Sequence, residues 1–215
     1  SEDRVGHGDF SLCLYAQRLD SKGNVLWRPN GMPVCVGVPT ESRPPAMPSN
    51  PRLISDGRGG AIIIWEDHRH LPELSIYAQR LDSNGNIRWS ENGIQIYCIR
   101  TPQSFLHYVV SDGAGGAIIV WKYIEEGKHK LGDGLLRAQR VNARGKTQWP
   151  PNGILISTGI KGYCLDPAVS NDGLGGILLA WRAGKGETKT ASCYVQRINA
   201  DGKRIWGEKG ILLTH

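Results

Sequence analysis

The chain has 215 residues, enough for one domain with a substantial core, and its 28 glycines and 12 prolines suit a turn-rich β protein. The formal charge of +6 is scattered along the chain rather than gathered with interleaved aromatics, which argues against nucleic acid as a partner. No apolar run approaches the ~18 residues of a membrane span, and no window sustains helical periodicity.

In chain order, the first 37 residues carry a half unit, LYAQRLDSKGNVLWRPNG, with Cys13 and Cys35 near its two ends. Full units follow over 50–98, 106–158 and 166–215, and together they read as a single repeat domain over 1–215. All seven tryptophans fall in two slots of the repeat: Trp65, Trp121 and Trp181 in one, Trp27, Trp89, Trp149 and Trp206 in the other. A period of about 60 residues is the mark of a repeat architecture.

Each full unit reads as four short strands, A to D. Strand A ends at Asp56, Asp112 or Asp172, where D-G-x-G-G makes a hairpin turn; glycine supplies positive φ, and Asp bonds its own backbone. Strand B is AIIIW, AIIVW or ILLAW, apolar without alternation, the pattern of a strand covered on both faces. Strand C, such as IYAQRLD, alternates, with Tyr77, Gln79 and Leu81 on one face and Ala78, Arg80 and Asp82 on the other. A second glycine turn leads into strand D, which carries the second-slot Trp, breaks at N-G or K-G and resumes. These units predict an all-β, β-propeller-type array of four-stranded antiparallel blades, about three and a half in number, with an open β-hairpin solenoid as the alternative. All the tryptophans are expected in the core.

The string DGxGGAIIxWxDxR…IYAQRLDxxGxxxWxxNG resembles the repeats of large secreted or surface bacterial proteins, closest over 55–93, where Trp65 is followed by Glu66, Asp67, His68 and Arg69. The third full unit departs from it, with RAGKGE after Trp181 and Asn199 in place of Asp. The resemblance implies a secreted, periplasmic or cell-surface setting and a non-catalytic recognition role. It implies no active site. The chain begins at Ser1 without a charged or apolar leader, as expected of a processed secreted chain or a piece of a longer one.

Residues that could carry chemistry are few. The D-G-x-G-G turn is similar to the Asp-box of sialidase-type propellers, but spacing and strand pair differ. It offers one carboxylate where a calcium loop needs several. His68 and His70 lack the further ligands a metal requires. Neither a nucleophile elbow nor a zinc-protease helix motif occurs, and no cofactor is expected. Glu66, Asp67, Glu73, Glu125, Glu126 and Asp133 are the loop carboxylates a glycoside hydrolase or lyase would draw on. Arg80, Arg140 and Arg197 recur in strand C, at the level of the A–B turn, and are expected to pair with Asp56, Asp112 and Asp172. Cys13 and Cys35, near-opposite in one hairpin, are the candidate disulfide.

Antiparallel connectivity puts the B–C and D–A loops at the end away from the uniform glycine turns. These loops vary between units, which makes them the expected binding face. The face offers Arg43, Asp67, His68, Arg69, Tyr123, Lys128, Lys130, Lys185 and Lys189. Aromatics are sparse there, which favours a protein partner over a glycan. The expected function is a non-catalytic recognition or assembly subunit; a glycan-binding module and a propeller-based glycoside hydrolase or lyase are the alternatives. The partner is expected at the edge of the N-terminal hairpin: another chain, or the rest of a longer polypeptide.

Overall fold

A computed structural model describes residues 14–36, 48–70, 73–99, 107–124, 134–156, 163–184 and 192–214. The described residues hold fourteen strands and no helix. Strands β1 (Leu14–Ala16) and β2 (Met32–Cys35) form a hairpin. One four-stranded sheet follows: β3 (Ser49–Ser55), β4 (Ala61–His70), β5 (Glu73–Leu81) and β6 (Ile94–Ile99). The next comprises β7 (His107–Ser111), β8 (Ala117–Ile124), β9 (Gly134–Val141) and β10 (Ile154–Leu155). The last comprises β11 (Tyr163–Asn171), β12 (Ile177–Gly184), β13 (Ser192–Ile198) and β14 (Ile211–Thr214). Every sheet is a meander in sequence order, so the expected array of four-stranded antiparallel blades is present. The chain divides into two compact units, Ser1–Leu53 with Gly60–Ser104, and Ile54–Gly59 with Phe105–His215.

The glycine turns form for the expected reason. Gly57, Gly59, Gly113, Gly115, Gly173 and Gly175 all have positive φ. The Oδ1 of Asp112 accepts hydrogen bonds from the amides of Ala114 and Gly116, both at 2.8 Å, and Asp172 does the same for Leu174 and Gly176. The N-G steps place Asn30, Asn92 and Asn152 at positive φ as the third residues of turns closed by the amides of Gly31, Gly93 and Gly153 on the carbonyls of Arg28, Ser90 and Pro150, the pattern of a type II turn.

Strand D differs from expectation. The second-slot Trp lies in no strand. A single bridge, such as Leu81 to Ile87, precedes it, and pairing resumes only after the N-G turn, at Ile94 in the sheet of β3–β6, the first four-stranded sheet. Two positive-φ residues in succession cannot continue a ladder, so the tryptophan is carried by a turn.

Each unit has its own core. In the first, Trp27 and Val34 pack with Ala61, Ile63, Trp65, Tyr77 and Leu81, joining the hairpin to the face of β4 and β5 that these side chains share. In the second, Ile118, Val120, Leu136 and Trp149 pack with Ile177, Leu179, Trp181 and Ile198, joining the sheet of β7–β10 to that of β11–β14. The first-slot tryptophans are buried as expected: Trp65 and Trp121 are 0% exposed and Trp181 is 1%.

Strand β12 corrects the expectation of double cover. β4 and β8 are buried at successive residues from Ala61 to Asp67 and from Ala117 to Trp121. β12 alternates instead: Ile177, Leu179 and Trp181 are buried, whereas Leu178 is 38% exposed, Ala180 is half-buried and Arg182 is exposed. Only one face of this sheet is covered. Trp206 is corrected for the same reason. Trp27, Trp89 and Trp149 are buried, but Trp206 is only half-buried.

Candidate functional site

The recurrent glutamine of strand C carries the local geometry. Gln79 Oε1 accepts from the amides of Arg80 (2.9 Å) and Trp89 (3.2 Å), and its Nε2 donates to the Ser90 carbonyl at 2.7 Å. Gln17, Gln139 and Gln196 make the same three kinds of bond to the backbone around Trp27, Trp149 and Trp206. Sequence reasoning placed this residue only on a strand face. Its recurrence before Arg in all four units was the signal.

With its backbone so held, the second-slot Trp reaches a neighbouring sheet. In the first unit, Trp27 Nε1 and Arg18 Nη1 both donate to the carbonyl of Ser83, each at 3.0 Å. In the second, Trp149 Nε1 at 3.0 Å and Arg140 Nη1 at 3.2 Å both donate to the carbonyl of Ala200. Ser83 and Ala200 hold the same place in the C–D turn. Two residues on, a Cβ added to Gly85 would lie 3.1 Å from the Trp27 ring, and one added to Gly202 would lie 2.9 Å from that of Trp149. Indole over glycine and two donors on one carbonyl make a sheet-to-sheet latch, seen once in each unit.

The same arginines form the expected ion pairs where the geometry is described. Arg140 Nε and Nη2 both donate to Asp112 Oδ2, at 3.2 and 3.1 Å, and Arg197 Nε donates to Asp172 Oδ2 at 3.0 Å. Both carboxylates are buried at the side chain. Burial opposes ionisation of Asp172, but the amides of Leu174 and Gly176 and the Arg197 guanidinium hold its carboxyl below the ordinary value. Asp56 and Arg80 are buried as well.

At the other end of the first sheet, two residues expected on an exposed loop form a buried cluster instead. β4 extends to His70, so Asp67 and Arg69 are strand residues, and Asp67 is 1% exposed. Asp67 Oδ2 accepts from Trp65 Nε1 at 2.9 Å and from Arg69 Nη2. Arg69 also donates from Nη2 to the Asn92 carbonyl at 3.0 Å and lies 3.9 Å over the Tyr77 ring, which stacks on Trp65. Burial works against ionisation of Asp67. The bonds from Arg69 and Trp65, and the Arg69 charge, outweigh it and hold the carboxyl below its usual value. Asp67 is buried and Arg69 turns its guanidinium inward onto it, so the two sit beneath the candidate binding face rather than on it.

Cys35 is buried, with its Sγ 3.4 Å from Arg69 Nη2. Its expected partner Cys13 lies outside the described residues, and Leu14 occupies the position opposite Cys35. Of the other loop candidates, His68 is half-buried, Tyr123 lies within β8, and Arg43, Lys128, Lys130, Lys185 and Lys189 lie outside the described residues. Glu66 is buried and accepts from Asn50 Nδ2 at 2.9 Å, while Cys98 Sγ donates to Glu73 at 3.3 Å; Glu125, Glu126 and Asp133 lie outside the described residues. Among the described residues no group of three His, Cys, Asp or Glu side chains is placed to hold a metal.

What remains open is the uncovered face of the sheet β11–β14. Leu178, Ala180, Ala168, Val195 and Trp206 line an apolar depression there of about 380 Å³. Compared with known proteins, the chain matches no family model, no curated protein and no solved structure.

Proposed function

We propose that this chain is a non-catalytic recognition or assembly subunit of the secreted or cell-surface kind, and that it binds another protein through sheet surfaces it does not cover itself. The observation that carries this reading is the alternation along β12. The positions equivalent to Leu178, namely Ile62 and Ile118, are 0% exposed, whereas Leu178 is 38% exposed beside the half-buried Trp206. Apolar side chains continuous over a sheet face, next to an aromatic whose indole N–H has no acceptor among the described residues, are the makings of a protein contact. The depression is poor in polar groups, which fits a protein surface better than a sugar. The edge of β1, which pairs with β2 alone among the described strands, adds a place where a further strand could dock. The secreted setting rests on the resemblance of the repeat.

The test immobilises the chain, exposes it to the extracellular fraction of its source at low and high salt, and identifies what is retained, with Leu178→Asp as control. Retention of one defined protein that is lost with L178D supports the reading. Saccharide binding indifferent to L178D, or turnover of a polysaccharide, would replace it.

A further inference from the structure

The latch that joins sheets inside each unit leaves one half unused at each end of the repeat. At the C-terminal end, Trp206 and Arg197 hold the places of Trp149 and Arg140. Among the described residues the Trp206 indole N–H donates to nothing, and the Arg197 guanidinium bonds only Asp172, with no carbonyl to match Ser83 or Ala200. At the N-terminal end, Ser21 and Gly23 hold the places of Ser83 and Gly85. Gly23 has the φ of its equivalents, +84° against +83° for Gly85 and +81° for Gly202, but nothing lies within 4 Å of a Cβ added to it. Leu19 and Tyr15 are equivalent to Leu81 and Tyr77, which face the preceding hairpin in the core of the first unit. Here they are 55% and 53% exposed.

The two surfaces are therefore complementary in kind. One presents the donors, an indole ring and an apolar face around Leu178. The other presents the acceptor carbonyl, a bare glycine and an apolar face around Leu19. We propose that they join between copies: the hairpin β1–β2 of one copy seats on the open face of β11–β14 of a second. Trp206 and Arg197 then donate to the Ser21 carbonyl, and the indole covers Gly23. The contact is a third instance of the joint already made by Trp27 on Ser83 and Trp149 on Ala200. A second copy is the occupant because this chain carries both halves of the joint it already makes internally, the donors at Trp206 and Arg197 and the acceptor turn at Ser21 and Gly23, so two copies match each other. The contact is heterologous, so each copy keeps one surface of each kind, and association proceeds to a ring or an open chain.

This inference rests on the protein-binding reading of the same face, and its test separates the two. Sedimentation velocity over a concentration series is run on the whole chain, on Leu19→Asp, on Leu178→Asp and on an equimolar mixture of the variants. Both leucines are exposed, so the charges leave the cores intact, and matching thermal melts check this. The expected result is association of the wild-type chain, loss of affinity by roughly tenfold or more in each variant alone, and a species of two chains and no larger in the mixture. Each variant keeps the surface the other lacks. Trp206→Phe, which removes the donor and keeps the ring, weakens association roughly fivefold. A wild-type chain monomeric throughout, a variant that still associates alone, or a mixture that stays monomeric overturns the head-to-tail contact. If the monomeric chain still retains a different protein through Leu178, the assembly reading stands without it; if it retains nothing, both fall.

Discussion

The side chains that hold this protein together address the backbone more than each other. Gln79 is fully buried and satisfies two amides and one carbonyl, so Gln79→Ala leaves buried main-chain groups unpaired and costs about 2–3 kcal/mol. Gln17 makes the same bonds in an exposed setting, and Gln17→Ala costs less; urea melts of the two variants give the comparison. Trp65→Ala removes a ring with no exposed surface and costs roughly 3–5 kcal/mol in the same assay. Asp67 gives a pH signature. Its carboxyl is held below the ordinary value in the folded chain, so it stabilises the fold above the unfolded pKa, and that contribution is lost as pH falls through the folded one. Asp67→Asn lacks the contribution at every pH, so its melting temperature drops less than that of the wild type between about pH 6 and about pH 3. A parallel decline in the two proteins would remove Asp67 from the acid transition.

At the level of the element, turns were legible in the sequence and faces were not. D-G-x-G-G and N-G announce positive φ, because few other residues tolerate it, and the structure places those glycines there. Nothing in ILLAW distinguishes β12 from the doubly covered AIIIW and AIIVW, since cover depends on what lies beyond the strand. Trp206 misled for the same reason. Asp67 and Arg69 read as loop residues because β4 runs on past the apolar stretch, held by its pairing with β5 and, at Arg69, by the Asn92 carbonyl beyond that strand. Gly23 and Gly202 separate the two demands on a turn glycine. Within a single copy, at concentrations where the chain is monomeric, Gly23→Ala meets only the left-handed backbone cost, about 1–2 kcal/mol. Gly202→Ala also drives a methyl into the Trp149 ring, so its melting temperature falls further. Equal losses would show that the indole yields.

For the molecule as a whole, stability is graded along the chain. The residues of β14 are all exposed, including Ile211, Leu212 and Leu213, whereas β4 and β8 are buried at residue after residue. Native-state hydrogen exchange is expected to show β14 amides opening first and those of β4 and β8 last; uniform protection would mean that the sheets unfold as one body. The joint between Trp149 and Ala200 has a further consequence, because its acceptor is a main-chain carbonyl and its seat a glycine. Apart from that glycine, it does not read the identity of the residue it lands on, and Ser83 serves Trp27 as Ala200 serves Trp149. A gene encoding such units can therefore gain or lose one by unequal recombination without coordinated change at the new junction. Length becomes a heritable variable, while the outer loops of each inserted copy diverge at will.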